Sequence, residues 1–297
     1  MHPPVRLVAI DVDGTLLPTS AQQLSGRTAR ALRAAQKAGI TVAIATGRRQ
    51  AYVAPLLGNL DLRADMPLIT SNGAVTRTLA GEPMDRCHLD AAVARELCGL
   101  LRPFGAVVFT FDQNGPGELV LENIQQAHDR IALWVDANRA SIREVRPLED
   151  AFGDGDDPIQ GMVCGTVDEM KRAEIALRQS PLFASCECAR TEYPARNLSI
   201  LDLLPLGVSK GWALEQLATR LGVGRLETMA IGDNWNDVEM LEWAGQSVVM
   251  GNASAELRTM AKLRGWKQAP PNDEDGVAVI LERELERQAA QQMQEAR

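Results

Sequence analysis

Apolar and polar positions in the first third of the chain alternate between two patterns. Residues 5–10 form an apolar run broken only by Arg6, which suits a strand buried on both faces of a sheet. Residues 27–38 place Ala31, Leu32, Ala35 and Ala38 at helical spacing, and Gly39 ends that helix. Residues 40–45 read as a second buried strand, 50–57 as a helix and 67–70 as a third, short strand. Strands alternating with helices are joined by right-handed crossovers and build a parallel sheet.

The last third returns to this pattern. Residues 210–221 carry Trp212, Ala213, Leu214, Leu217, Ala218 and Leu221, an amphipathic helix ended by Gly222. Residues 228–231 and 247–250 read as short buried strands with a helix over 236–243 between them. A final helix starts near Val277, and its polar end, 288–297, is expected to fray.

The middle differs. Residues 107–111 and 118–121 flank a turn rich in Asn114, Gly115, Pro116 and Gly117, which predicts a hairpin. A helix is expected over 125–139, a loop of acidic residues, Gly and Pro over 147–158, a strand over 162–167, a helix over 168–180 and a strand over 183–189. The expected fold class is α/β. A doubly wound, parallel-sheet (Rossmann-like) core spans 1–82 and 195–297, interrupted by an inserted α+β module at 83–194.

At 297 residues and 45% hydrophobic content the chain can bury a sizeable core. No apolar run reaches the ~18 residues of a membrane span, and the first residues lack the pattern of a signal peptide. The expectation is a cytoplasmic protein with no membrane partner. A net charge of −8 weighs against a nucleic-acid partner, which needs a basic face, but permits a small phosphorylated ligand. Five cysteines, odd in number and sparse, do not suggest a disulfide framework. Cys186 and Cys188 fall on one face of a strand, which reads as packing. His2, His88 and His128 leave a zinc site poorly supplied. Oligomeric state is not readable.

Chemistry concentrates where strands end. Asp11-Val12-Asp13-Gly14-Thr15 follows the first strand, and ligands of open parallel sheets bind beyond the carboxyl ends of strands. One carboxylate there can act as a nucleophile, the other as a proton donor and acceptor. A calcium loop starting at Asp11 would need Gly and Glu at the positions held by Leu16 and Gln22, so that reading fails. Gly232-Asp233-Asn234-Trp235-Asn236-Asp237 follows another buried strand. Asp233 with Asp11 could hold Mg²⁺, although Asp and Asn also cap ordinary turns. Lys210 opens its helix against the helix dipole, which hints at a use for its charge.

Thr46-Gly47-Arg48, after the second strand, offers a hydroxyl, an open backbone N–H and a fork suited to phosphate. Ser71-Asn72-Gly73 after the third strand reads, by itself, as a plain turn. Gly207-x-Ser209-x-Gly211 matches a nucleophile elbow, but no histidine follows His128 to complete a triad. Dinucleotide-binding and P-loop patterns are absent from the sequence.

Taken together, Asp11-x-Asp13-Gly14-Thr15, Thr46-Gly47-Arg48, Lys210 and Gly232-Asp233-x-x-Asn236-Asp237 resemble the four motifs of haloacid dehalogenase-like (HAD) hydrolases. Ser71-Asn72-Gly73-Ala74, the approach Gly207-Val208-Ser209-Lys210-Gly211, and the stretch from Asn272 through Asp275-Gly276-Val277-Ala278 resemble the Cof-type subfamily IIB. The resemblance covers about residues 5–80 and 195–282. The module between has the position of that subfamily's α/β cap, without a matching motif.

The resemblance implies a phosphatase. Asp11 would attack phosphorus to form an aspartyl-phosphate, and Asp13 would protonate the leaving alcohol and then activate water. Thr46, Gly47 and Lys210 would hold phosphoryl oxygens. Asp11, Asp233 and the backbone carbonyl of Asp13 would bind Mg²⁺, with Asp237 supporting that ion. Arg48, Asn72 and Asn236 are further candidates for substrate contact. The acid at Asp13 favours an alkoxide leaving group over a halide, with a phosphomutase as an alternative. The implied substrate is a small metabolite monoester, first of all a sugar phosphate, with flavin, pyridoxal or nucleotide phosphates as alternatives. A silent regulatory protein is the non-enzymatic alternative.

Overall fold

The apolar run after Arg6 folds as β1 (Leu7–Ile10), each residue of which is buried. Ser25 caps α1 (Gly26–Lys37) by accepting the Thr28 N–H at 3.0 Å. There follow β2 (Thr41–Ala45), α2 (Gln50–Leu57), β3 (Pro67–Thr70), β4 (Val75–Thr78) and β5 (Pro83–Arg86). The computed structural model describes residues 3–18, 23–127, 129–153 and 157–295. It divides the chain into two compact units, Met1–Asp85 with Lys210–Arg297, and Arg86–Ser209.

The second unit holds α3 (Ala91–Leu101), β6 (Val108–Thr110), β7 (Leu119–Leu121), α4 (Ala132–Asn138), β8 (Ile142–Glu144), β9 (Gln160–Gly165), α5 (Val167–Gln179), β10 (Cys186–Tyr193) and β11 (Leu198–Pro205). The strands form one sheet in the order β10-β11-β9-β6-β7-β8. Leu97, Phe109, Met170 and Leu203 join the core between that sheet and α3 and α5. The expected hairpin is present as β6–β7 in antiparallel register.

Several elements depart from expectation. The helix foreseen over 125–139 is shorter: the Asn123 side chain accepts the Gln125 N–H at 3.0 Å, closing a tight turn, and α-helix begins at Ala132. His128 within that segment, and 154–156 within the acidic loop, lie outside the described residues. A single helical turn at Pro181–Ala184 displaces the foreseen strand to β10. β11, unforeseen, pairs along the whole of β10, so this unit runs past residue 194 to Ser209.

The chain then returns with α6 (Lys210–Leu221), β12 (Thr228–Gly232), α7 (Val238–Trp243), β13 (Gln246–Val249), α8 (Ala255–Leu263), β14 (Lys267–Gln268) and α9 (Gly276–Glu295). The first unit's sheet has the order β14-β13-β12-β1-β2-β3-β4-β5. Its pairs from β14 to β3 are parallel, and β3–β4 is antiparallel. Side chains alternate across it as strand geometry requires. Val8 and Ile10 pack with Leu32 of α1 and Leu281 of α9, while Leu7 and Ala9 pack with Leu214 of α6 and Met240 of α7. Among the described residues, no helix is long and apolar enough to cross a membrane.

Register decides where the chemistry lies. Ile10 stands beside Ile231 of β12 on one side and Ile44 of β2 on the other, and Ala45 beside Ile69 of β3. Asp11, Thr46, Ser71 and Asp233 therefore leave the same edge of the sheet on four adjacent strands.

Candidate active site

The first residue of α6 is the hub of this edge. The Lys210 ammonium donates to Asp11 Oδ1 at 2.6 Å and to Asp237 Oδ1 at 2.7 Å, and its side chain is fully buried. Burial alone would lower its proton affinity; Asp11 and Asp237 outweigh that and raise it, so the ammonium stays charged. Asp11, 4% exposed, stands against this ammonium at the mouth of β1.

Asp237 is tied on both oxygens. Oδ1 takes Lys210, and Oδ2 accepts the backbone N–H groups of Asp233 at 2.9 Å and Asn234 at 3.0 Å. Gly232 makes that fit possible, because a Cβ there would lie 2.6 Å from the Asp237 carboxylate. Asp233 is fixed by Thr15, whose hydroxyl donates to its Oδ1 at 2.7 Å. Gly14, at φ 82°, passes so close that an added Cβ would stand 2.3 Å from Asp233 Oδ2. Asn252 Nδ2 donates to the Gly14 carbonyl at 2.8 Å, and Asn252 Oδ1 accepts the Asn272 N–H at 2.9 Å.

Asp13 points elsewhere. Its carboxylate meets the Arg48 guanidinium in a two-pronged ion pair, with Arg48 Nε donating to Oδ2 at 2.7 Å and Arg48 Nη2 donating to Oδ1. The Arg48 guanidinium also sits 5.3 Å from the centre of the Tyr52 ring. Thr46 is buried, and its hydroxyl oxygen accepts the Arg48 N–H at 3.1 Å, which leaves the hydroxyl proton for another acceptor. Asn236 Nδ2 donates to Asn72 Oδ1 at 3.0 Å.

The model of haloacid dehalogenase-like hydrolases matches residues 8–281. The chain belongs to the haloacid dehalogenase-like hydrolases. It is 32% identical over 259 residues to the HMP-PP phosphatase of Citrobacter koseri, covering 85% of this chain and 86% of that protein. It is 28% identical over 304 residues to the 5-amino-6-(5-phospho-D-ribitylamino)uracil phosphatase YwtE of Bacillus subtilis, covering 96% and 100%. Its fold matches that of the HAD subclass IIB sugar phosphatase BT4131, with a TM-score of 0.75 at 23% identity over 94% of this chain and 98% of that one. Its class of activity is phosphoric monoester hydrolysis.

In this HAD hydrolase, Asp11, Asp233 and Asp237 each bring a carboxylate oxygen within 4.8 Å of the others. With all three ionised, the carboxylates against one ammonium carry two net negative charges in a buried place, which one divalent cation would balance. Burial first, then the neighbouring Asp237 and Asp13, push Asp11 up to about 7 in spite of Lys210. Burial, Asp11 and Asp237 likewise raise Asp233 well above the usual carboxylate range. An all-oxygen set that is short of positive charge fits a hard cation. Since both Asp237 oxygens are engaged, Asp11 and Asp233 are the carboxylates with an oxygen to offer it.

Every site residue named from sequence lies at this edge, but in two groups. Asp11, Asp233, Asp237 and Lys210 form the buried charge cluster. Asp13, Thr46, Gly47 and Arg48 form a second, and Asn72 and Asn236 pair beside it. The Asp13 carboxylate is not part of the acidic cluster, because Arg48 draws it away. Arg48, expected as a substrate contact, holds Asp13. Thr15 and Asn252 were missed as site residues; Thr15 had a signal in its place within the first motif, and Asn252 had none.

Proposed function

We propose that this HAD hydrolase is a cytoplasmic, Mg²⁺-dependent phosphatase acting on a small metabolite monoester through an aspartyl-phosphate on Asp11. The observation that carries the proposal is the division of labour between two carboxylates two residues apart. Asp11 is buried against Lys210, and Asp13 is half-buried and held by Arg48.

One oxygen of the Asp11 carboxylate attacks phosphorus, and the bond from phosphorus to the leaving oxygen breaks. Asp13, protonated and released from Arg48 for this step, gives that oxygen its proton, so an alcohol departs and the carboxylate left behind is again a base. A water then attacks the aspartyl-phosphate, giving its proton to Asp13, and the bond from phosphorus to Asp11 breaks. Lys210 and the Thr46 hydroxyl neutralise the phosphoryl oxygens, and the Gly47 N–H supplies another donor. Mg²⁺ held by Asp11 and Asp233, with the Asp13 backbone carbonyl as a further donor and Asp237 bracing Asp233, supplies charge neutralisation for the phosphoryl group.

We further propose that the unit Arg86–Ser209 selects the leaving group, and that the substrate carries its phosphate on a sugar or sugar-alcohol chain. The phosphoribityl group in the name of the Bacillus subtilis relative supports that chemistry. The test is hydrolysis of p-nitrophenyl phosphate and a panel of sugar, nucleotide, flavin and pyridoxal phosphates, with Mg²⁺ and with EDTA. We expect Mg²⁺-dependent release of phosphate that Asp11→Asn abolishes. Turnover that survives Asp11→Asn rules out the nucleophile, and turnover indifferent to EDTA rules out the cation. Transfer of phosphate between two positions of one sugar would make the enzyme a mutase.

A further inference from the structure

Three consecutive residues after β3 adopt the left-handed backbone region: Ser71 at φ 49°, Asn72 at φ 52° and Gly73 at φ 104°. A residue with a Cβ enters this region at a cost, and two in succession persist only where their surroundings over-determine them. An exposed turn would use glycine. Here Ser71 and Asn72 are each 1% exposed.

What holds Asn72 reaches in two directions. Its backbone N–H donates to the Thr46 carbonyl at 3.0 Å, and the Ser71 N–H donates to the Arg48 carbonyl at 3.0 Å. Its side-chain amide lies over Gly47, where an added Cβ would stand 3.0 Å from Nδ2 and 3.2 Å from Oδ1. That same amide accepts from Asn236 at 3.0 Å. Asn236 precedes Asp237, which holds Lys210 and the Asp233 backbone. Asn72 thus joins the turn carrying Thr46, Gly47 and Arg48 to the turn carrying Asp233 and Asp237.

We infer that Asn72 is a positioning residue for phosphoryl transfer, and that its left-handed backbone is kept because only that conformation lets one amide span Gly47 and Asn236. The inference rests on the phosphatase reading. The Asn72–Asn236 bond fixes the distance between the Thr46–Gly47 donors and the Lys210–Asp11 pair. Both sets must meet the same phosphoryl group, and small errors in that spacing fall on the transition state.

The experiment compares wild type, Asn72→Ala, Asn72→Gly, Asn236→Ala and Asn72→Gly/Asn236→Ala for thermal midpoint and for kcat and KM with p-nitrophenyl phosphate. Alanine keeps the backbone cost and loses the amide, so both midpoint and kcat fall. Glycine takes φ 52° freely, so the midpoint recovers relative to alanine while kcat stays about 10- to 100-fold below wild type. KM changes by no more than a few-fold. Asn236→Ala lowers kcat to a similar extent, and the double variant is no worse than the poorer single one.

Wild-type kcat in Asn72→Gly, or losses that simply multiply in the double variant, would overturn the inference and leave the phosphatase reading standing. A folded wild type inert toward phosphate monoesters would overturn both.

Discussion

Two buried carboxylates stand at opposite ends of β1, and the fold treats them in opposite ways. At the start, Glu284 of α9 is 4% exposed and fully answered. Its Oε1 accepts the Val5 N–H at 3.1 Å and Arg287 and Gln288 at 2.7 Å each, and its Oε2 accepts Arg287 at 2.8 Å. Burial alone would raise it, but Arg287, Gln288 and the Val5 N–H hold it below the usual carboxylate range. At the other end Asp11, also 4% exposed, receives Lys210 on one oxygen and shares that ammonium with Asp237. Burial and like charge push it up to about 7. A carboxylate whose lone pairs are all met is a bracket. One left short of positive charge stores a cost that a cation can relieve, which is how buried acids differ between frames and sites.

The sharpest way to break this comparison is to neutralise each acid in turn. Asp11→Asn is expected to lower turnover about 10⁴-fold or more, by the size of nucleophile losses elsewhere. The same change is expected to raise the stability of the metal-free protein by about 1–3 kcal/mol, because it removes one charge from an acid-rich cluster. The size of that gain depends on pH. A raised carboxylate contributes stability below its unfolded value of 3.8 and loses it as pH rises through about 7. The advantage of Asn over Asp should therefore be small at pH 4 and largest above pH 7. Chemical denaturation of both proteins in EDTA across that range measures it, and a variant less stable than wild type at pH 8 would show that Asp11 is a bracket after all.

Asp13→Ala comes next. Loss of the general acid is expected to lower turnover of alkyl phosphates about 10²- to 10⁴-fold. p-Nitrophenyl phosphate, whose leaving group needs less help, should lose less. Because the Asp13 and Arg48 side chains are 31% and 28% exposed, stability should shift by about 1 kcal/mol or less. Near-normal rates with alkyl phosphates would remove the acid assignment. Lys210→Ala leaves Asp11 and Asp237 buried without their shared cation, and is expected to cost about 3–5 kcal/mol of stability. Extra Mg²⁺ should not restore turnover, and full rescue would place the lysine outside the site.

How far this contrast was legible in the sequence follows from what each end requires. Asp11 and Asp233 could be named because a residue after a buried parallel strand must emerge at the sheet edge, whatever the register. Lys210 and Asp11 are 199 residues apart in the chain, yet a shared motif set was enough to join them. Pairings that depend on side-chain reach were hidden: Asp237 bracing two backbone N–H groups, Arg48 turning to Asp13, Thr15 reaching Asp233. By itself Asn72 read as a plain turn, and as a candidate for substrate contact only through the resemblance, because nothing in Ser-Asn-Gly shows that the turn is buried. Glu284 carried no signal in the sequence, since its burial depends on α9 lying against the start of β1. In the second unit β11 was missed for a related reason. Its face is set by pairing to β10 and β9, not by alternation along its own residues.

Glu284→Gln gives the smallest effect on turnover and the cleanest control. Gln keeps the size and one carbonyl acceptor, but loses the charge that meets Arg287 and puts an amide where the Val5 N–H or Arg287 needs an acceptor. Charge-assisted hydrogen bonds of this kind set the expected loss at about 2 kcal/mol near neutral pH. The sign here is the reverse of Asp11. A lowered carboxylate contributes stability above its unfolded value of 4.5 and loses it as pH falls through its lower folded value. The gap between variant and wild type should close below about pH 4, where Asp11→Asn also loses its advantage. Turnover at neutral pH should stay near wild type, because Glu284 touches β1 at the end remote from the site. A drop in kcat without a drop in stability would mean that the start of β1 is coupled to its catalytic end, and the two carboxylates would then be parts of one device.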